Sequence, residues 1–193
     1  MSFIRSRRIN ELNDACALLQ RIVDDTNRVQ IVHYACESFQ KASGGIPRIV
    51  TIAVRDYGKA QTETFSMHTE ADIEGINLFK ADSAQLDILE KKVINGFVSY
   101  VKAHKDHRWV NWAMRDSHFG FEAIRNRAKA LGATKLNLDN DKRYDLHHIL
   151  GKAYTSKFIS SKGNGALLNL AGKNCSSIEG ALTGAQEAEA YEN

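Results

Sequence analysis

The 193 residues, 43% of them apolar, can bury a substantial core and suit one domain, or one domain carrying a helical appendage. The balance of 26 basic against 23 acidic residues leaves a net charge of +3, too mild by itself to imply a nucleic-acid partner. No apolar run approaches the roughly 18 residues of a membrane span, and the basic first ten residues lack the apolar centre of a secretion signal, so a soluble, cytoplasmic protein without membrane contact is expected.

Residues 6–42 read as two helices. Ile9, Leu12, Cys16, Leu19 and Val23 recur at helical spacing, Asp24 to Asn27 interrupts with capping residues, and Val29, Val32, Cys36 and Phe39 resume the pattern. Ser43-Gly44-Gly45 and the single proline, Pro47, end the second helix. An N-terminal helical hairpin over 1–45, able to dock a protein partner, followed by a main domain over 46–193, is the expectation. The three cysteines are far apart and match neither a zinc site nor a disulfide framework. Cys16 and Cys36 fall on apolar faces and read as small buried hydrophobes.

Arg48 to Tyr57 is apolar on both faces, as in a covered strand. Gly58-Lys59 turns the chain into a second strand over Thr62 to His68, and Ile73 to Phe79 reads as a third. Asp82-Ser83 caps a long helix with Leu86, Leu89, Val93, Phe97 and Tyr100 or Val101 on its buried stripe. Trp109 to Met114 is long enough for a buried strand but not for a helix. Asp116 or Ser117 can cap the next helix, in which Phe121, Ile124, Ala128 and Leu131 share one face before Gly132 closes it. A strand that ends in polar residues and feeds a helix is where α/β proteins place their sites. Lys135 to Leu138 reads as a short strand, Asn137 to Lys142 as a loop and Tyr144 to Tyr154 as a helix. Ser160 to Gly165 reads as a loop, Leu167 to Gly172 as a short helix, and Ser176 opens a last helix through a capping-box pattern.

This order of elements resembles the ribonuclease H-like fold, an α/β mixed sheet flanked by helices. It is most similar to the 3′–5′ exonucleases that use four acidic residues and two metal ions. Three local matches carry the resemblance: Trp109 to Phe121, Arg143-Tyr144-Asp145-Leu146, and Ser176 to Glu192. It implies a Mg²⁺ site with Asp145 as a metal ligand at the opening of a helix. The departures lie in the acids. The family's first strand carries an Asp-x-Glu pair, where this chain has Thr51 to Val54, and no histidine follows Leu150.

Asp56, Glu63, Asp116, Glu122 and Asp145 are the carboxylates able to converge on such a site, and two-metal cleavage needs them around cations about 4 Å apart. Their structural alternatives are a turn residue for Asp56, a helix cap for Asp116 and a first-turn charge for Glu122. Arg143 to His148 also fits the Arg-x₄-His pattern of the helical HEPN ribonucleases, which cleave without metal. Arg115, Arg125, Arg127, Lys129 and Arg143 lie in the most basic region, interleaved with Trp109, Trp112 and Phe119, and could hold phosphates and stack bases. The missing acids favour a nuclease-like module that binds nucleic acid or a protein partner without cutting. An active nuclease, Mg²⁺-dependent or HEPN-like, and a purely structural subunit are the alternatives.

Overall fold

The structure, a computed structural model, describes residues 2–38, 45–114, 119–154, 164–174, 179–183, 186, 188 and 189. A long helix α1 (Ser2–Val23) leads into the strand β1 (Val29–Cys36). β2 (Ile49–Asp56) and β3 (Gln61–Ser66) follow, then helices α2 (Met67–Glu74) and α3 (Ser83–Ala103). β4 (Arg108–Asn111), α4 (Phe121–Ala130), β5 (Arg143–Asp145), α5 (Leu146–Tyr154) and α6 (Asn164–Asn174) complete the order. The five strands form one mixed sheet in the order β3-β2-β1-β4-β5, in which β1 pairs antiparallel with β2 and parallel with β4. β2 alone runs against the other four. No helix among the described residues is long and apolar enough to cross a membrane.

β1 corrects the expected helical hairpin over 1–45. Val29, Val32 and Cys36 sit at helical spacing, but the intervening Gln30, Ile31, His33 and Tyr34 belong to a strand with Gln30, Val32 and Tyr34 on one face. Gln30 is a fully buried amide on that face, so it hides the alternation from a hydrophobicity pattern. The strand lies at the centre of the sheet, so β1 is built into the domain and not appended to it. Three smaller expectations also change. The stretch expected as a strand from Ile73 to Phe79 is the end of α2 and a one-turn helix over Leu78–Lys80. Among the described residues, 135–138 pair with no strand, whereas Arg143–Asp145, partly assigned to a helix, pairs with β4. The capping box expected at Ser176 lies outside the described residues.

α3 covers one face of the sheet. The Asp82–Gln85 capping box starts it, and Leu89, Val93, Ile94, Phe97, Val98 and Val101 are buried against Val32, Ile52 and Val54. Each such side chain contributes roughly 1.5–3 kcal/mol on burial. Gly96 permits the close approach, since a Cβ there would stand 2.9 Å from the Phe65 ring. Trp109 is completely buried edge-on to Phe97 and Tyr100. On the opposite face α1 and α5 enclose Val29, Val110 and Tyr144 with Ala15, Leu18, Leu19, Ile22 and Ile149. Cys16 is exposed, against expectation, because α1 turns the neighbouring Ala15 row inward.

One buried ion cluster joins these elements. Glu90 of α3 is fully buried, and its Oε1 accepts from the Ile49 backbone N–H at 2.9 Å and from Arg127 Nε at 2.8 Å. Arg127 Nη2 closes the second arm onto Oε2. Arg48 stands 3.7 Å away and pairs with Glu37 and Asp87 at 2.8 and 2.9 Å. Removing one partner of a buried pair leaves an uncompensated charge. Glu90→Leu is therefore expected to lower unfolding stability by about 3–5 kcal/mol in urea titrations, and the double variant with Arg127→Met to lose clearly less.

Candidate functional site

β4 and β5 run parallel and finish level, with Asn111 opposite Asp145. Alternation places Trp109, Asn111, Arg143 and Asp145 on the α3–α4 face of the sheet. Beyond Asn111 the chain turns sharply, with Ala113 at φ +54°, a left-handed conformation that costs a non-glycine residue about 1 kcal/mol. Two side chains hold that turn. Asn111 Oδ1 accepts from the Met114 N–H at 3.3 Å, and Asp145 Oδ1 accepts from the Ala113 N–H at 3.2 Å. Asp145 Oδ1 also accepts from the His148 N–H at 3.3 Å, which makes it the N-cap of α5. Gly120 starts α4 at φ 156° and ψ −167°, a region open only to glycine, and donates its N–H to Tyr34 Oη at 2.8 Å.

Between these elements lies a cleft of about 280 Å³ lined by Asn111, Met114, Phe121, Glu122, Asn140, Arg143 and Asp145. The Arg143 guanidinium lies 5.4 Å from the Phe121 ring centroid and 3.7 Å from Glu122. Burial, and then repulsion from Arg125, hold the Arg143 pKa below its ordinary value. Glu122 is also paired with Arg125. The cleft thus offers a guanidinium paired with the Glu122 carboxylate, two amides, a capping carboxylate and an aromatic face. Such a set suits a ligand that carries both anionic oxygens and hydrogen-bonding edges.

The residues expected to act together divide into three groups. Arg143, Asp145 and Glu122 meet in this cleft. Asp56 and Glu63 do not. Three strand spacings, about 14 Å, separate Asp56 on β2 from Asp145 on β5, and four, about 19 Å, separate Glu63 from it. These carboxylates cannot hold one pair of cations about 4 Å apart. Arg115 and Asp116 lie outside the described residues. Among the described residues, no three His, Cys, Asp or Glu side chains gather as a metal site. Of the other expected cations, Arg127 is bound to Glu90, and Arg125 donates to the carbonyls of Leu136 and Leu138. Lys129 is exposed. Arg143 lies on a strand and His148 on the following helix, so they do not form the single-helix pair of the HEPN pattern. Trp109 and Trp112 are buried and offer no stacking platform. Sequence reasoning missed Asn111 and Asn140. Asn111 had a signal, as the polar end of an apolar strand; Asn140 in its loop had none.

Asp56 instead belongs to a polar corner at the other end of the sheet, beside a cavity of about 420 Å³. The buried Gln30 amide donates to Asp56 Oδ2 at 3.2 Å and faces His107 Nδ1 at 2.9 Å, while its carbonyl accepts from Tyr100 Oη at 3.0 Å. The NH₂ group can only donate, so His107 Nδ1 accepts and its proton sits on Nε2. Comparison with protein-family models, with curated proteins and with solved structures gives no match to this chain.

Burial, followed by repulsion from His104, lowers the His107 pKa below 6.5. For Asp56, burial pushes upward, but the Lys59 N–H, Gln30 and the nearby positive charges together bring the pKa below 3.8. Both groups contribute stability at neutral pH. The His107 part is complete above about 6.5 and is lost as pH falls through its depressed folded value; the Asp56 part is lost only below the ordinary carboxylate range. The thermal midpoint should therefore fall as pH is lowered below about 6.5. His107→Gln should flatten that part of the profile, as followed by circular dichroism.

Proposed function

We propose that this chain is a ribonuclease H-like module that holds a single-stranded nucleic-acid segment at the β4–β5 edge without cutting it. What supports the fold reading is the strand order β3-β2-β1-β4-β5 with β2 alone reversed. The observation that carries the non-cleaving reading is β1. In that topology it is the strand expected to bear the Asp-x-Glu pair, yet Val29–Cys36 contains no carboxylate. Asp145 is engaged in capping α5, and Glu122 is paired with arginines.

Arg143 is the phosphate contact in this reading, with Asn111 and Asn140 beside it for base or sugar edges. Lys129 adds charge from the exposed side of α4. Neither role needs a metal ion. Arg125 and Arg127 act structurally.

The test is a gel with labelled single-stranded DNA and RNA in Mg²⁺, Mn²⁺ or EDTA. A shift indifferent to EDTA is expected, with the logarithm of affinity falling by roughly 0.7 per phosphate contact for each unit of log salt. Arg143→Met should weaken that shift about tenfold. Mg²⁺-stimulated cleavage lost in Asp145→Asn would make the protein an active nuclease, and no shift at all would leave a protein partner.

A further inference from the structure

Gln30 is a neutral amide held between three ionisable side chains, and its neighbours fix where each proton sits. The ionised Asp56 carboxylate only accepts, so the atom 3.2 Å from its Oδ2 is the Gln30 nitrogen. The amide oxygen therefore faces Tyr100 Oη at 3.0 Å, and the tyrosine donates to it. The same NH₂ group stands 2.9 Å from His107 Nδ1, which accepts. Gln30 is fully buried on the central strand, so these contacts have no solvent to replace them.

An imidazolium donates from both nitrogens. Once His107 takes up a proton, its ring and the Gln30 NH₂ group face each other as two donors. Turning the amide about its last torsion exchanges two groups of nearly equal size, and that torsion is broadly two-fold. The carbonyl then accepts from His107, and the NH₂ group donates to Tyr100 Oη, which accepts as readily as it donates. Asp56 Oδ2 gives up its Gln30 donor in this arrangement. Its Oδ1 keeps the Lys59 N–H at 2.9 Å, Lys59 Nζ stands 3.7 Å from Oδ2, and the charge gained by His107 favours the carboxylate.

We infer that Gln30 is a proton-driven relay: protonation of His107 reverses its amide, and with it the direction of the Tyr100 hydroxyl. Tyr100 and Asp56 both line the cavity of about 420 Å³. With His107 neutral, the hydroxyl proton is directed at Gln30. With His107 charged, that proton turns toward the cavity, whose wall changes there from acceptor to donor.

The groups facing His107 set when the relay turns over. His104, at the end of α3, packs edge-on to it with ring centroids 4.8 Å apart, its own Nδ1–H donating to the Tyr100 carbonyl at 2.8 Å. Burial, His104, Arg28 and Lys59 oppose the charged ring and Asp56 favours it, so uptake comes below the ordinary histidine value of about 6.5. Asp56 and Glu63 are the charges that face Tyr100. The relay lies at the opposite end of the sheet from the β4–β5 cleft and does not rest on the binding role argued above.

NMR of the isotope-labelled full chain between about pH 8 and 5 tests it. At the upper limit the Gln30 NH₂ protons should cross-relax more strongly with the His107 ring than with the Tyr100 ring. Through the His107 midpoint that order should invert, with the Tyr100 signals shifting at the same midpoint. Gln30→Met keeps the length of the side chain and removes the amide; His107 should still titrate there, but Tyr100 should no longer follow it. The wild-type contacts decide the matter even where Gln30→Met fails to fold. An order that stays the same through the midpoint overturns the inference. So does a Tyr100 response that survives in folded Gln30→Met, or a wild type that unfolds before His107 takes up its proton.

Discussion

The Glu90 carboxylate is the point on which the arrangement of this domain depends. It sits fully buried on α3, yet its oxygens answer a backbone N–H at the start of β2 and the fork of Arg127 on α4. A buried carboxylate tolerates few geometries, because every lone pair left without a donor is costly. Hydrophobic contact between α3 and the sheet would allow α4 to slide. The two-armed Arg127 contact does not. Since Phe121 and Glu122 occupy the first turn of α4, fixing that helix also fixes one wall of the cleft.

The same cluster explains why the basic composition of residues 108–143 is a poor guide to surface charge. Arg127 completes the Glu90 pair, Arg125 ties the 136–138 segment through two carbonyls, and Lys142 reaches the Lys105 carbonyl. These cations act as hydrogen-bonding brackets, a task suited to the rigid guanidinium fork in particular. Arg143 differs from them: it lies against an aromatic ring and lines a cleft.

How much was legible in the sequence follows from what sequence patterns measure. α3 and α4 could be placed because one-sided burial leaves a 3.6-residue stripe, and β4 because its apolar run is too short for a helix. β1 could not. It is a central strand with a buried glutamine on one face and a part-open other face, so neither alternation nor a continuous apolar run marks it. With residues 29–36 read as a helix, β2 takes the place of the first strand, where the family's acidic pair belongs. Asp145 stands out in the sequence because Arg143-Tyr144-Asp145-Leu146 resembles the family's aspartate at the opening of a helix. The separation of Asp56 from it is set by strand order, which only tertiary pairing reveals.

Helix α5 is held at both ends by side chains from other elements. Asp145 caps its N-terminus from the floor of the cleft, and Arg8 of α1 donates to the carbonyls of Lys152 and Ala153 at its other end. Both contacts complement the helix: a carboxylate at the positive end and a guanidinium at the negative end. A nine-residue helix is too short to be stable by propensity alone, so these caps and the packing of Ile149 hold it in place. α5 is thus tied to α1 at its carbonyl end and to Asp145 at its first turn. The cleft and α1 lie on different elements, and both are held to the sheet beside α5 by hydrogen bonds to its two ends.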